Sequence, residues 1–109
     1  MANEEKYLSP IHPGAILKAE FLEPLGMTQE QLAKDIGVSS VVVDEIVQGN
    51  RSINADIAMR LGRYFKTSAK FWLNLQASYE EDCLVYARRT KKGNALEFIK
   101  THSKIAAVL

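Results

Sequence analysis

The chain has 109 residues, enough for one domain whose core needs no disulfide or metal for support. The single cysteine, Cys83, excludes an intramolecular disulfide, and the apolar runs are far shorter than the roughly 20 residues that span a membrane. We therefore expect a cytoplasmic protein with no membrane partner, and the formal net charge of +1 gives little overall attraction to nucleic acid.

The charge is distributed unevenly along the chain. The net charge is −2 in residues 1–27, −2 in residues 28–53, +3 in residues 54–79 and +2 in residues 80–109. The positive charge is concentrated in Arg60, Arg63, Lys66, Lys70 and the run from Arg88 to Lys92. DNA affinity depends largely on contacts between basic side chains and phosphates, so any DNA contact must depend on local placement of charge.

The first predicted helix follows a polar segment, residues 1–10, that we expect to be flexible. Pro13 suits the first position of a helix, where its missing N–H is not needed. Apolar residues within residues 14–22 then recur at a spacing that places them on one helical face. Pro24 is predicted to end this helix, because the residue before a proline is disfavoured in helical conformation.

Two short helices joined by a tight corner are predicted next. Thr28 can cap the first of them in a capping box with Gln31, in which each side chain binds the other's free backbone N–H. Gly37 supplies a positive φ at the corner, and Ser39 can cap a second helix that ends near Gly49. This is the pattern of a helix-turn-helix, whose second helix can enter the major groove of DNA as a recognition helix.

The remaining chain predicts two further helices and a tail. Asn54 can cap one helix, and the next should begin at Ala69. The second of these carries the longest apolar stripe of the chain, formed by Trp72, Leu75, Tyr79, Cys83 and Tyr86. Gly93 and Asn94 break the pattern, after which residues 95–109 can form one more short helix or stay disordered. No alternation of useful length predicts a strand, so we expect an all-α fold.

Three segments of the chain carry a more specific resemblance. They are Ile11-His12-Pro13-Gly14 with the later Phe21-Leu22-Glu23-Pro24-Leu25-Gly26, the stretch Gly49-Asn50-Arg51-Ser52-Ile53-Asn54, and Phe71-Trp72-Leu73-Asn74-Leu75-Gln76. Together with the helix-turn-helix, they make residues 11–76, about three fifths of the chain, resemble the HigA-type antitoxins. These form a branch of the repressor-like helix-turn-helix proteins that includes the VapI group.

The resemblance implies both an architecture and a function. It implies a five-helix repressor-like helix-turn-helix domain, to which we assign residues 11–79. We expect residues 80–109 to form a C-terminal helical extension that is partly disordered or supports a dimer. The resemblance also implies a homodimer that binds double-stranded operator DNA, represses its own operon and neutralises a partner toxin of the HigB type, a ribosome-dependent mRNA endonuclease.

Candidate DNA-contacting residues follow from the motif and the resemblance. They are Thr28, Gln29, Ser39, Ser40, Val41, Asp44 and Arg51. The resemblance implies that Gln29 reaches a phosphate from the positive end of its helix, and the alternative is a helix-starting glutamine that faces solvent. Ser39 and Ser40 can present hydroxyl and backbone N–H groups to the duplex. Arg51 can clamp a phosphate or form a surface ion pair, and the sequence leaves both open.

The predicted recognition helix departs from the usual pattern because it carries two adjacent carboxylates. Asp44 and Glu45 would bring negative charge towards phosphates, so we expect them to limit DNA affinity. Val41 can still pack on a thymine methyl group, and Asp44 can accept a hydrogen bond from cytosine N4. The sequence does not decide between a weakened helix and one that reads an unusual operator.

No catalytic residues, metal site or cofactor are predicted. His12 and His102 are far apart in the sequence, and neither has a carboxylate or cysteine at metal-ligand spacing. We therefore predict that the chain is not an enzyme. The alternative to an operator-binding antitoxin is a protein-interaction module or solitary regulator with the same fold and weak or altered DNA binding, and salt-dependent DNA binding would separate the two.

Overall fold

A computed structural model describes residues 9–90 of the chain, and these residues form five helices and no strand. Helix α1 comprises three consecutive segments, the α-helical Pro13–Ile16, a π-helical Leu17–Leu22 and the α-helical Glu23–Leu25. The four that follow are α2 (Gln29–Ile36), α3 (Ser40–Val47), α4 (Ala55–Phe65) and α5 (Ala69–Thr90). The prediction of an all-α, five-helix architecture is confirmed.

The predicted caps set the boundaries of three helices. The side chain of Thr28 accepts a hydrogen bond from the Gln31 N–H at 3.0 Å, and the Ser39 and Asn54 side chains cap α3 and α4 in the same manner. The reciprocal half of the predicted capping box is wrong, because the Gln31 amide donates instead to the Asp35 carboxylate one turn later at 2.7 Å. A carboxylate is the stronger acceptor for that amide.

Helix α1 does not end at Pro24 as predicted. It continues to Leu25 and stops at Gly26, which has a positive φ of 64°. A proline ring collides with the carbonyl four residues earlier in a regular α-helix, whereas the wider π-turn before Pro24 accommodates it. The π-turn also changes the buried face, because the two most buried leucines of α1, Leu17 and Leu22, lie five residues apart.

Side chains from all five helices meet in one core. Its buried members are Leu17, Leu22, Leu32, Ala33, Ile36, Val43, Ile46, Ile53, Ile57, Ala58, Leu61 and Trp72. The indole of Trp72 is fully buried, and its N–H donates to the Thr67 hydroxyl at 2.9 Å. The half-buried Phe21 packs against this ring with a centroid distance of 5.0 Å, so α1 closes the core over α5.

The predicted apolar stripe of α5 is buried only in part. Trp72, Tyr79 and Cys83 are buried, whereas Leu75 and Tyr86 are half-buried. The buried face of α5 also includes Gln76 and Ala87, at steps of three and four residues from Trp72, Tyr79 and Cys83. The predicted domain boundary between residues 79 and 80 falls within this continuous helix, and the predictions for residues 1–8 and 91–109 lie outside the described residues.

Within the part of the chain that the structure describes, no helix is both long enough and apolar enough to cross a membrane.

Candidate DNA-binding surface

The corner between α2 and α3 fixes the angle at which the recognition helix leaves the body. Gly37 ends α2 with a φ of 81°, and Val38 packs against the core. The Arg60 guanidinium of α4 donates to the Ile36 carbonyl at 2.6 Å, where it satisfies the C-terminal end of α2. The charge distribution in the sequence made Arg60 one of the basic residues that could contact DNA. In the structure its guanidinium instead binds the backbone of this corner.

A second contact ties α2 to α4 beside the same corner. The Tyr64 hydroxyl donates to the Asp35 carboxylate at 2.6 Å, and this hydrogen bond raises the pKa of Tyr64. Asp35 also accepts from Gln31, so its two oxygens are both used. Helix α2 is therefore held from its C-terminal half by α4, which leaves its N-terminal end facing outwards.

The N-terminal end of the recognition helix α3 is exposed. Val41 is 56% exposed, Ser39 is exposed and Ser40 is half-buried. The Ser39 hydroxyl oxygen already accepts the Val41 N–H, so this hydroxyl offers its own hydrogen as a donor. The exposed end of α3 thus presents two hydroxyls and two apolar methyl groups, a combination suited to reading base edges in a major groove.

Gln29 and Asp44, two of the predicted DNA contacts, bind each other. The Gln29 amide nitrogen donates to an Asp44 carboxylate oxygen at 2.6 Å, which joins the first residue of α2 to the middle of α3. Both side chains are half-buried. Thr28 lies directly beside them and is exposed, with its hydroxyl oxygen engaged as the cap of α2.

Arg51, in the loop after α3, forms an ion pair with Glu45. The guanidinium Nε and Nη2 atoms both lie 2.7 Å from the same carboxylate oxygen, and the two side chains are each 38% exposed. Of the two alternatives that the sequence left open for Arg51, the structure contains the ion pair. The guanidinium keeps further N–H groups beyond this contact, and these remain available as donors.

The Arg51 loop is anchored by a residue whose role the sequence did not predict. The Gln76 side-chain oxygen accepts the Ile53 N–H at 2.9 Å in a buried position, and its amide nitrogen donates to Glu80 at 3.0 Å. The signal in the sequence was a single amide within the apolar stripe of α5. A buried backbone N–H without such a partner would be costly, so Gln76 fixes the place where the loop joins the core.

The predicted DNA contacts thus lie on α2, on α3 and in the loops beside these helices. Two of them, Gln29 and Asp44, bind each other, whereas Arg51 binds Glu45, which was not among the predicted contacts. In residues 9–90, no group of three or more His, Cys, Asp and Glu side chains is placed to hold a metal ion.

Comparison with known proteins identifies a matching family model and similar proteins. A helix-turn-helix family model matches residues 18–72, about half of the chain. Virulence-associated protein I of Dichelobacter nodosus is 49% identical over 70 residues, which cover 64% of this chain and 65% of that protein, just under two thirds of its length. Antitoxin HigA-1 of Vibrio cholerae is 31% identical over 91 residues, covering 84% of this chain and 82% of the relative.

A solved structure is similar as well. It is described as Pseudomonas aeruginosa antitoxin HigA with the higBA promoter, and it superposes with a TM-score of 0.68 at 48% sequence identity. The superposition covers 76% of this chain and 89% of that one.

Proposed function

Because the chain belongs to the helix-turn-helix family that contains the HigA antitoxins, we propose that it binds operator DNA as a homodimer, represses its own operon and neutralises a HigB-type toxin in the cytoplasm. This family consists of DNA-binding antitoxins and regulators and not of enzymes.

One observation supports DNA binding above the others. The exposed N-terminal end of α3, with Ser40 and Val41, is held at a fixed angle by the corner and by Arg60. The similar Pseudomonas aeruginosa structure is an antitoxin with promoter DNA, and at 48% identity we transfer that mode of binding to this chain. A rigid, exposed recognition helix is what major-groove binding requires.

Within this proposal, the candidate residues divide into two kinds of contact. Gln29 and Arg51 approach phosphates, with Thr28 and Ser39 beside them at helix starts. Ser40 and Val41 approach base edges, where the valine methyl groups can pack on a thymine methyl.

The proposed homodimer uses the groove between the start of the described chain and α5. Ile11, which is 65% exposed, and Val85, which is 37% exposed, line it together with Ile16, Leu75 and Tyr86. A second copy would cover these apolar side chains and would place two recognition helices on one face of the duplex.

Footprinting on the chain's own promoter tests the function. We expect two protected half-sites related by two-fold symmetry, with centres about 34 Å or a multiple of that distance apart, and affinity that falls steeply with salt. A fragment of the same length and shuffled sequence serves as the control. Protection of one segment without symmetry contradicts the dimeric mode, and absence of binding at low salt contradicts operator binding itself.

The toxin part of the proposal is tested separately. A small basic reading frame beside the gene should encode a protein that co-purifies with this chain and whose growth inhibition the chain relieves. Failure of both results, with operator binding intact, would leave a solitary regulator.

An interaction module with weak DNA binding is the second candidate. It is favoured by one observation, namely that Gln29 and Arg51 are already engaged by carboxylates. This candidate predicts partner binding without salt-dependent DNA binding, so the same salt series distinguishes the two functions.

A further inference from the structure

Each of the two adjacent carboxylates on α3 binds a side chain that we propose to contact phosphate. Asp44 binds Gln29 of α2, and Glu45 binds Arg51 of the loop after α3. The sequence alone suggested that these acids oppose DNA binding. We infer instead that Asp44 and Glu45 are positioning residues, which hold Gln29 and Arg51 in the orientation needed to reach the DNA backbone. This inference rests on the proposed function.

The contact of Asp44 fixes which end of the Gln29 amide faces it. An ionised carboxylate only accepts hydrogen bonds, so the amide nitrogen and not its oxygen must face Asp44. The distance of 2.6 Å between nitrogen and oxygen is short, as expected of a charge-assisted bond. Gln29 then keeps one N–H as a donor at the positive end of α2, where a phosphate would bind. Without Asp44 the amide could rotate and present its oxygen to that phosphate.

The contact of Glu45 restricts a longer side chain. Both Nε and Nη2 of Arg51 lie 2.7 Å from one Glu45 oxygen, which anchors one edge of the guanidinium. The two N–H groups on Nη1 lie outside this contact and can bind a phosphate. Arg51 would otherwise be a flexible side chain on a surface loop, and ordering it in advance reduces the entropy lost when DNA binds.

The contacts of the two carboxylates differ in net charge. The Glu45 and Arg51 pair is neutral overall, whereas Asp44 faces an uncharged amide and keeps its negative charge. Repulsion by Asp44 therefore acts on any DNA and weakens with salt, while positioning of Gln29 acts only where Gln29 meets its phosphate. The two effects can be separated by changing the charge and the acceptor independently.

The test compares Asp44→Asn with Asp44→Ala. Both remove one negative charge, but only asparagine keeps an oxygen that can accept the Gln29 N–H and hold this side chain in place, even though its own N–H groups no longer dictate which end of the Gln29 amide faces it. If Asp44 positions Gln29, operator affinity should be on the order of tenfold lower for Asp44→Ala than for Asp44→Asn, and this difference should disappear when combined with Gln29→Ala. Glu45→Gln and Glu45→Ala, with and without Arg51→Ala, form the parallel set.

Two controls keep the result interpretable. Glu30→Gln removes a nearby exposed carboxylate that has no hydrogen-bond partner among the described residues, so it measures the general effect of charge. Urea unfolding of each variant shows that the fold is intact. The side-chain amide signals of Gln29 in NMR spectra supply a readout without DNA, and they should lose their distinct shifts in Asp44→Ala but not in Asp44→Asn.

The outcomes distinguish the inference from the proposed function. Wild-type protein that fails to bind its promoter at low salt overturns the proposed function, and the positioning role with it. Wild-type protein that binds, with equal operator affinities for Asp44→Asn and Asp44→Ala, overturns the positioning role alone. An Asp44→Ala defect that persists in the Gln29→Ala background and alters preference among operator sequences shows that Asp44 reads a base directly, and this also overturns it.

Discussion

At Gly14 the backbone of α1 rests directly on α3. A β-carbon built on this glycine would overlap the Ile46 carbonyl and would lie 2.9 Å from the Val47 Cα atom. The His12 side chain accepts the Gly14 N–H at 2.8 Å and so caps α1 at the same point. The contact between α1 and the recognition helix thus depends on the absence of a side chain at one position.

Gly14→Ala should therefore destabilise the protein by about 2 to 3 kcal/mol, because α1 must move away from α3. Gly26→Ala is the matched control. Apart from its chain neighbours, no atom of the described residues would lie within 4 Å of a β-carbon built on Gly26, so its replacement should cost only about 1 kcal/mol for the left-handed φ of 64°. Urea unfolding measures both. A Gly14→Ala variant as stable as the wild type would show that the two helices can separate without loss.

Tyr79 and Cys83 are buried beside each other on α5, and this environment favours the uncharged forms of both side chains. Burial raises the pKa of both, and the hydrogen bond between them raises that of Tyr79 further while it lowers that of Cys83. A group whose pKa is raised on folding stabilises the protein below its unfolded pKa, and this contribution declines as pH rises above that value.

We therefore expect the free energy of unfolding to fall as pH rises above about 9, the ordinary thiol value, and more steeply above about 10, the ordinary phenol value. Urea titrations at pH 7 to 11 test this. Tyr79→Phe with Cys83→Ala should show a shallower decline than the wild type. Parallel pH profiles for the two proteins would show that the pair contributes nothing to alkaline unfolding.

At the scale of elements, Gln76 connects α5 to the loop that carries Arg51. Replacing it with leucine leaves the buried Ile53 N–H without its acceptor, so Gln76→Leu should destabilise the protein by about 1 to 3 kcal/mol. It should also weaken operator binding, because the loop that carries Arg51 loses its anchor.

Gln31→Leu provides the comparison for this prediction. Gln31 is an exposed amide bound only to Asp35 through its side chain, so its loss should change stability by less than about 0.5 kcal/mol. Urea unfolding and operator titration measure both variants. Equal stabilities for the two would mean that the Gln76 hydrogen bond is replaced by water or by another partner.

The elements that could be predicted are those determined by neighbouring residues. Thr28, Ser39 and Asn54 cap helices through bonds that span two or three residues, so their signals are visible in the sequence. The pairs that shape the candidate site span 15 residues between Gln29 and Asp44 and 23 residues between Ile53 and Gln76. Neither periodicity nor capping rules report such pairs, which arise only when helices pack. The π-turn was not predicted for a related reason, because its five-residue spacing matches neither helical nor strand periodicity.

At the scale of the whole molecule, the apolar groove beside α5 exposes hydrophobic side chains to solvent. Val85 lies in this groove, whereas Leu73 lies on the same helix with almost the same exposure, 36% against 37%, and does not line the groove. Val85 and Leu73 therefore share a helix and a degree of solvent exposure, and they differ in whether they line the groove.

Val85→Glu should weaken the proposed dimer at least about tenfold, because a charge would be buried in the interface, and Leu73→Glu should leave it unchanged. Sedimentation at micromolar concentration measures the distribution of monomer and dimer. A wild-type monomer throughout that range contradicts the dimer, and equal effects of the two changes would place the interface elsewhere.

The Gln76 hydrogen bond joins the loop that we propose to contact DNA to the helix that we propose to form the dimer. If dimerisation and operator binding both favour the same position of that loop, the two equilibria are thermodynamically linked. Linkage is reciprocal, so the factor by which DNA strengthens the dimer equals the factor by which dimerisation strengthens DNA affinity. Sedimentation with and without operator would measure this factor. A protein present at low concentration would then dimerise mainly on its operator. Repression would respond to protein concentration more steeply than binding of a monomer to a single independent site.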